Sequence, residues 1–266
     1  MSKDSNNMTF FEHLEAFRKH LIRSALAVLV FAILAFIYKD IIFDEIIFAP
    51  RESSFLTNRL FCLFAEKYNL PDLCINKNPI SLLNIDLGGQ FTIHITVSIF
   101  AGVILAFPFI VFEFWKFIRP ALKPSEQKYS FKMVFFTSFL FVLGVMFGYY
   151  LIIPLSLEFF GNYEVSSQIA NNINVNSYIS SLTTISLSSG ILFELPIFIY
   201  FLSKIGIVTA EFLKKYRRHA IVIIFILAAI ITPPDIFSQT MVALPLLILY
   251  EVSIVISKVV WKNKNK

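Results

Sequence analysis

Six apolar runs, divided by charged or turn-forming residues, constrain this chain more than any other feature in it. A hydrocarbon core of roughly 30 Å takes about 20 helical residues to cross. Residues 21–38, 91–118, 131–154 and 178–202 are apolar over about that length. Residues 220–232 and 240–256 would reach only about 20 and 25 Å at about 1.5 Å per residue, so they read as short spans or as a re-entrant hairpin. The "TPPD" between them breaks a helix as a tight external turn requires, which favours two short spans. Because 57% of the residues are hydrophobic and only 15% are charged, a water-soluble domain is excluded. The expected fold is an all-α integral membrane protein with six transmembrane helices, since only helices satisfy their own backbone groups one segment at a time in lipid.

Lysine and arginine set the orientation, because they accumulate in short cytoplasmic loops. The N-terminal segment holds Lys3, Arg18, Lys19 and Arg23, and the loop after the second span holds Lys116, Arg119, Lys123, Lys128 and Lys132. The loop after the fourth span holds Lys204, Lys214, Lys215, Arg217 and Arg218, and the tail holds Lys258, Lys262, Lys264 and Lys266. Only Lys39, Arg51, Arg59, Lys67 and Lys77 fall in the first opposite loop, and residues 157–177 have none. Six spans with both termini cytoplasmic satisfy this pattern. The expected organisation is a cytoplasmic amphipathic segment at 1–20, a transmembrane domain at 21–258 and a basic tail at 259–266. The net charge of +5 then needs no nucleic acid to explain it. Residues 1–9 are polar and no small-residue cleavage site follows the first apolar run, so the first span is expected to be retained.

Several polar residues stand out against this background. In "TFFEHLEAFRKHL", Phe10, Leu14, Phe17 and Leu21 form a stripe at helical spacing, which is expected to lie along the inner membrane face before turning into the first span. Its opposite side carries Glu12, Glu15, Arg18 and Lys19. Thr9 with Glu12 also fits a capping box, and Glu15 with Lys19 an ordinary i,i+4 pair. Pro108 should kink the second span and Pro120 should stop it, presenting "KPSEQK" with Glu126 to the cytoplasm. Glu194 lies within the fourth span, with Pro196 two positions on as a second helix perturbation. An ionisable group at that depth costs on the order of 3 kcal/mol, so it should face a bundle interior or a hollow, near Ser186, Ser188 and Ser189. Thr232 and Gln239 flank the last turn, where Asp235, after Pro234, has the spacing of a helix cap. Cys62 and Cys74 share the long opposite loop, where an oxidising compartment would let them pair; two independent thiols are the other reading. No cofactor or metal motif occurs, and neither a His-Glu-any-any-His nor a membrane serine–histidine protease pattern is present, so no enzymatic activity is expected.

Taken together, these motifs resemble the TatC family, the multispanning receptors of the twin-arginine protein translocase. The likeness rests on "HL" followed by Arg18, on "FWKFIRPAL" with Glu126 after it, on "FELP" at 193–196, and on "TPPDIFSQ" at 232–239 leading to "LYE". The resemblance implies a cup-like bundle in the bacterial inner membrane whose cytoplasmic face binds twin-arginine signal peptides of folded cargo. It also implies single-span TatA and TatB partners, homo- and hetero-oligomers, and dependence on the proton gradient. In the family one signal-peptide acid follows the second span, which Glu126 matches, and another precedes the first. That second position is Ala16 here, and either Glu15 or Glu12 could substitute, with Glu15 preferred. Glu194, Thr232 and Gln239 match family positions that dock the single-span partners within the membrane. The alternative from another class is a proton-coupled small-solute transporter using Glu194 and His94, the latter near the outer interface. It lacks further facing acids or bases in the spans.

Overall fold

The structure, a computed structural model, describes residues 10–77, 80–121, 130–163, 166, 172–232 and 236–264. Among them are ten α-helices: α1 (Phe10–Ile37), α2 (Leu56–Tyr68), α3 (Gly89–Ile118), α4 (Ser130–Phe147), α5 (Ile153–Asn162), α6 (Val175–Phe193), α7 (Leu195–Ile205), α8 (Ala210–Lys215), α9 (Arg217–Ile231) and α10 (Ile236–Lys264). The only strands described are β1 (Leu82–Leu83) and β2 (Ile173–Asn174), which pair in parallel with Leu82 opposite Ile173. This is an all-α membrane architecture. Five helical stretches are long and apolar enough to cross a bilayer: Phe11–Ile37, Gly89–Ile118, Phe131–Asn162, Val175–Ile205 and Gln239–Lys262. The sixth, α9, has 15 residues and reaches only about 22 Å.

Two boundaries differ from the sequence reading. The last apolar run, expected to be short, continues as a 29-residue helix, because "SKVVWKNK" contains neither glycine nor proline and the helix passes through Pro245. The N-terminal segment does not turn before the first span: α1 is one uninterrupted 28-residue helix. No glycine or proline lies between Phe10 and Ile37, so nothing in the chain disfavours continuing the hydrogen-bond ladder. Pro108 likewise sits inside the continuous 30-residue α3. Pro120 ends that helix as expected, falling in a 3-10 turn at Arg119–Ala121.

The chain divides into two compact units, one built from α1, α3 and the start of α4, the other from the remaining described elements. In the first, Gly102 is what lets α3 meet α1: a Cβ there would stand 2.8 Å from the Ala32 nitrogen and the Val28 carbonyl. In the second, α4 runs through a π-helical turn at Gly148–Ile152 into α5. Pro154 has no N–H to offer the Tyr150 carbonyl four residues earlier, and the Thr57 hydroxyl from α2 donates there instead. Gly144 and Gly148 face α6 four residues apart. A Cβ on Gly144 would lie 2.5 Å from the Ser189 carbonyl, and one on Gly190 2.8 Å from the Phe141 ring. Small residues at this spacing are how membrane helices approach closely without a hydrophobic driving force. Gly206, at φ 92°, closes α7 in the left-handed conformation, its N–H reaching back to Leu202 and Ser203. Behind that turn, α7 and α10 are pinned by a buried Ser203–Ser257 hydrogen bond of 2.8 Å.

The segment between α1 and α3 is a structured cap. Cys62 and Cys74 are joined in a disulfide. The fully buried Asn58 donates to the carbonyls of Pro50 (3.0 Å) and Glu52 (2.8 Å) and accepts from Asn76 at 3.1 Å. The Asn76 amide also donates to the Pro154 carbonyl at 2.9 Å, and its backbone N–H to Glu158 at 2.5 Å. Each of these contacts satisfies a backbone or side-chain group that burial would otherwise strand.

Candidate functional site

Glu194 sits where the fourth span breaks. Pro196 cannot donate to Leu192, so α6 ends at Phe193 and α7 begins at Leu195, with Glu194 at φ −75°, ψ −7° between them. Its N–H still bonds the Ile191 carbonyl at 3.1 Å, and its carbonyl accepts from Phe198 at 3.0 Å, so the backbone turn is satisfied. The side chain is not. Both carboxylate oxygens are shut away from solvent and make no hydrogen bond of normal geometry among the described residues. The backbone of Phe141 on α4 is close enough to interact with the carboxylate. The Ser186 and Ser189 hydroxyls, buried on α6 between one and just over two turns before it, are likewise unbonded and do not reach it. A carboxyl group, an acceptor by nature, is therefore held at a helix break with no side-chain donor among the described residues.

Thr232 and Gln239 are placed differently. The Thr232 hydroxyl is buried and donates to the Ala228 carbonyl at 2.8 Å, while the Gln239 amide donates to the Phe225 carbonyl at 3.0 Å. The first closes the end of α9, and the second ties α10 to the middle of α9. Pro234 and Asp235, between them, lie outside the described residues, as does Glu126.

On α1, Glu15 is exposed and holds Lys19 at 2.8 Å, one helical turn on. Glu12 and Arg18 are exposed too, whereas Ala16 is half-buried. Ala16 shares its face with His13, Phe17 and His20, all three of which contact the Phe117 ring on α3, at centroid distances of 5.8, 5.4 and 6.1 Å. Glu15 consequently points away from the face on which the family's acid would stand.

One acid on α3 is far more embedded than the sequence suggested. Glu113 is 2% exposed, with His20 Nδ1 at 2.7 Å, Lys116 Nζ at 3.0 Å and Arg23 at 3.7 Å. It clasps α1 to α3 just inward of the Phe117 cluster. The available signal was a lone acid in an apolar run with a lysine three residues on and a His/Arg pair on the preceding span. His94 has a local use as well: its ring stacks on Phe36 at 3.8 Å and its Nε2 meets the Phe36 carbonyl at 3.0 Å. The basic stretch after α7 is also ordered. Arg217 pairs with Glu251, the Tyr250 hydroxyl donates to the Leu213 carbonyl at 2.8 Å, and the Trp261 indole to the Val208 carbonyl at 3.0 Å. No cluster of metal-ligating side chains occurs among the described residues.

Comparison with known proteins agrees with this architecture. The model of the family "Sec-independent protein translocase protein (TatC)" matches residues 12–245. A Sec-independent protein translocase protein TatC from Blattabacterium sp. subsp. Periplaneta americana is 43% identical over 266 residues, covering 99% of this chain and 100% of that one. The Aquifex aeolicus protein of the same name is 33% identical over 97% of this chain and 98% of its own length. Two crystal structures of the twin-arginine translocase receptor TatC superpose at TM-scores of 0.74 and 0.68, with 33% and 32% identity over 93% and 94% of this chain. They are covered to 100% and 99% of their own lengths.

Proposed function

The chain belongs to the TatC family of Sec-independent protein translocase proteins, a multi-pass component of the Tat pathway in the bacterial membrane, and on that premise we propose how its residues serve as a receptor. Its cation-rich ends, with both termini, face the cytoplasm. The cap between α1 and α3 faces the oxidising side, a placement that its disulfide favours. The cytoplasmic surface binds twin-arginine signal peptides of folded cargo through Glu126 and an acid on α1. A guanidinium presents a planar fork that one carboxylate can accept in two parallel bonds, which a lysine cannot offer.

Because the family's α1 acid is Ala16 here, Glu15 takes that role, with Glu12 the alternative and Arg18 beside them. The Glu15–Lys19 pair is solvent-exposed, where water screens such pairs, so an incoming arginine displaces Lys19 at little cost. Within the membrane, Glu194 docks single-span partners of the TatA/TatB type in a hetero-oligomer. The observation that carries this assignment is that neither Glu194 oxygen makes a hydrogen bond of normal geometry, and no side chain donates to it, among the described residues. A partner helix that brings a polar side chain to that depth completes a hydrogen bond which lipid cannot make. Thr232 and Gln239 serve the same surface through the Gln239 side-chain oxygen, which keeps acceptor capacity while its amide holds α9. The proton-transporter alternative loses support, since His94 is committed to Phe36.

The test is a pair of assays on each variant. Glu194→Leu should keep signal-peptide crosslinking and lose copurification of the single-span partners. Glu126→Ala should do the reverse. Retained partner copurification in Glu194→Leu overturns the docking assignment, and unchanged peptide crosslinking in Glu126→Ala overturns the receptor-site assignment.

A further inference from the structure

Helix α2 is built inside out. Its docked side is small or polar, with Thr57, Asn58 and Ala65 buried, while Leu56, Leu60, Leu63 and Phe64 are 60, 46, 53 and 55% exposed. Those four recur at intervals of four, three and one residues, a single apolar stripe along one face of the 13-residue helix. In water such a face would be left uncovered.

The depth of α2 indicates what covers it. Its Thr57 hydroxyl is fixed to the Tyr150 carbonyl in the π-helical turn of the third span. Lys132, at the start of that span, marks one headgroup level, and 18 residues of helix to Tyr150 rise about 27 Å, close to the thickness of a hydrocarbon core. The Tyr150 carbonyl therefore stands at the opposite hydrocarbon boundary. Beyond it, α5 leaves the membrane carrying Glu158 and Asn162, which bond each other at 2.6 Å. Helix α2 thus lies at the level where acyl chains meet headgroups, continuous with the lipid-facing surface of the span that anchors it. Three of its remaining exposed side chains suit that level, and Glu66 points to water beside them: Arg59 and Lys67 can reach phosphates, and Tyr68 at the C-terminus is an interfacial residue.

We propose that α2 is an interfacial membrane helix whose Leu56–Leu60–Leu63–Phe64 face rests in the acyl boundary of the leaflet on the cap's side, with Arg59 and Lys67 on the lipid phosphates. The disulfide and the Asn58–Asn76 network hold it at that depth: Cys62 lies on α2 itself, and Asn76, two residues after Cys74, is bonded to both Asn58 and the Pro154 carbonyl. The inference rests on the chain's crossing a bilayer and is indifferent to which side is cytoplasmic. Burial of three leucines and a phenylalanine also gives the cap a membrane anchor separate from the spans.

Site-directed spin labelling of the full chain tests it. Cys62 and Cys74 are the only cysteines and are bonded, so single added cysteines can be labelled. Nitroxides at Leu56→Cys, Leu60→Cys and Leu63→Cys, with Arg59→Cys and Glu66→Cys on the polar flank of the stripe, would be compared in phosphatidylcholine–phosphatidylglycerol vesicles. Collision with oxygen should exceed collision with a water-soluble nickel chelate at 56, 60 and 63. The ratio should reverse at 59 and 66. Chelate-dominated collisions at all five positions place α2 in water and overturn the proposal. Protection from both reagents at 56, 60 and 63 means that protein, not lipid, covers the stripe, and overturns it as well.

Discussion

Two buried carboxylates show how differently one residue type can be used in this chain. Glu113 has three basic neighbours and holds α1 to α3. Glu194 has no side-chain donor among the described residues. Removing each should therefore change stability in opposite directions. Glu113→Ala deletes the acceptor for His20 and Lys116, and losing charge-assisted bonds of this kind costs about 1.5–3 kcal/mol. A lower midpoint of thermal unfolding in detergent is the expected result. Glu194→Leu replaces an unsatisfied buried group by an apolar one of similar size, so its midpoint should be unchanged or raised, while partner association falls. A large destabilisation by Glu194→Leu would mean that the carboxylate serves the fold itself. At Gly144 the constraint is steric: Gly144→Val drives a side chain into the Ser189 carbonyl and should destabilise by about 1–3 kcal/mol, whereas a valine at the exposed Leu143 should be near neutral.

Among the elements, prolines and glycines explain what was legible in the sequence and what was not. Pro120 and Pro196 announce the end of α3 and the break at Glu194, because each removes a donor at a point where the ladder does stop. Pro108 and Pro245 interrupt nothing that ends a helix, since membrane helices continue past a proline when neighbouring groups take up the slack. The extension of α10 to Lys264 was hidden because hydropathy falls off before helical propensity does. The close approach of α4 and α6 was visible as Gly144-any-any-any-Gly148, a spacing with a physical meaning that hydropathy ignores. Helix α2 was invisible for a different reason: its buried face is polar, so periodicity points its apolar stripe inward when the structure turns it outward. The disulfide clamps that helix to the loop bearing Asn76. Its removal by Cys62→Ser with Cys74→Ser should cost about 3 kcal/mol of cap stability, seen as faster proteolysis within residues 56–77 while the spans stay intact. Equal proteolysis of the two proteins would show that the polar network suffices.

For the whole molecule, composition and apolar length gave the all-α membrane class, because those two quantities respond directly to the bilayer; of the six expected spans, five are long and apolar enough to cross it. The proposed partner surfaces were legible only through family motifs; the structure shows which of those groups are already occupied. Thr232 and Gln239 donate to backbone carbonyls, Glu15 holds Lys19, and Glu194 alone among these stands with neither oxygen bonded. With α9 as the one short span, any local thinning of the bilayer by mismatch is centred on it rather than shared with α10. Lengthening α9 by four apolar residues should then slow cargo export without altering signal-peptide binding; export at the unmodified rate would remove mismatch from the account.

The central claim is that the cation-rich face carrying Glu126 is a cytoplasmic receptor for paired arginines. It is tested most directly by placing a photo-crosslinker at position 125 in inverted inner-membrane vesicles and offering signal peptides that carry Arg-Arg or Lys-Lys. The account predicts crosslinks to the Arg-Arg peptide from the exposed cytoplasmic side and their loss with Lys-Lys. Equal crosslinking of both peptides, or crosslinks that form only when the opposite face of the membrane is exposed, would contradict it.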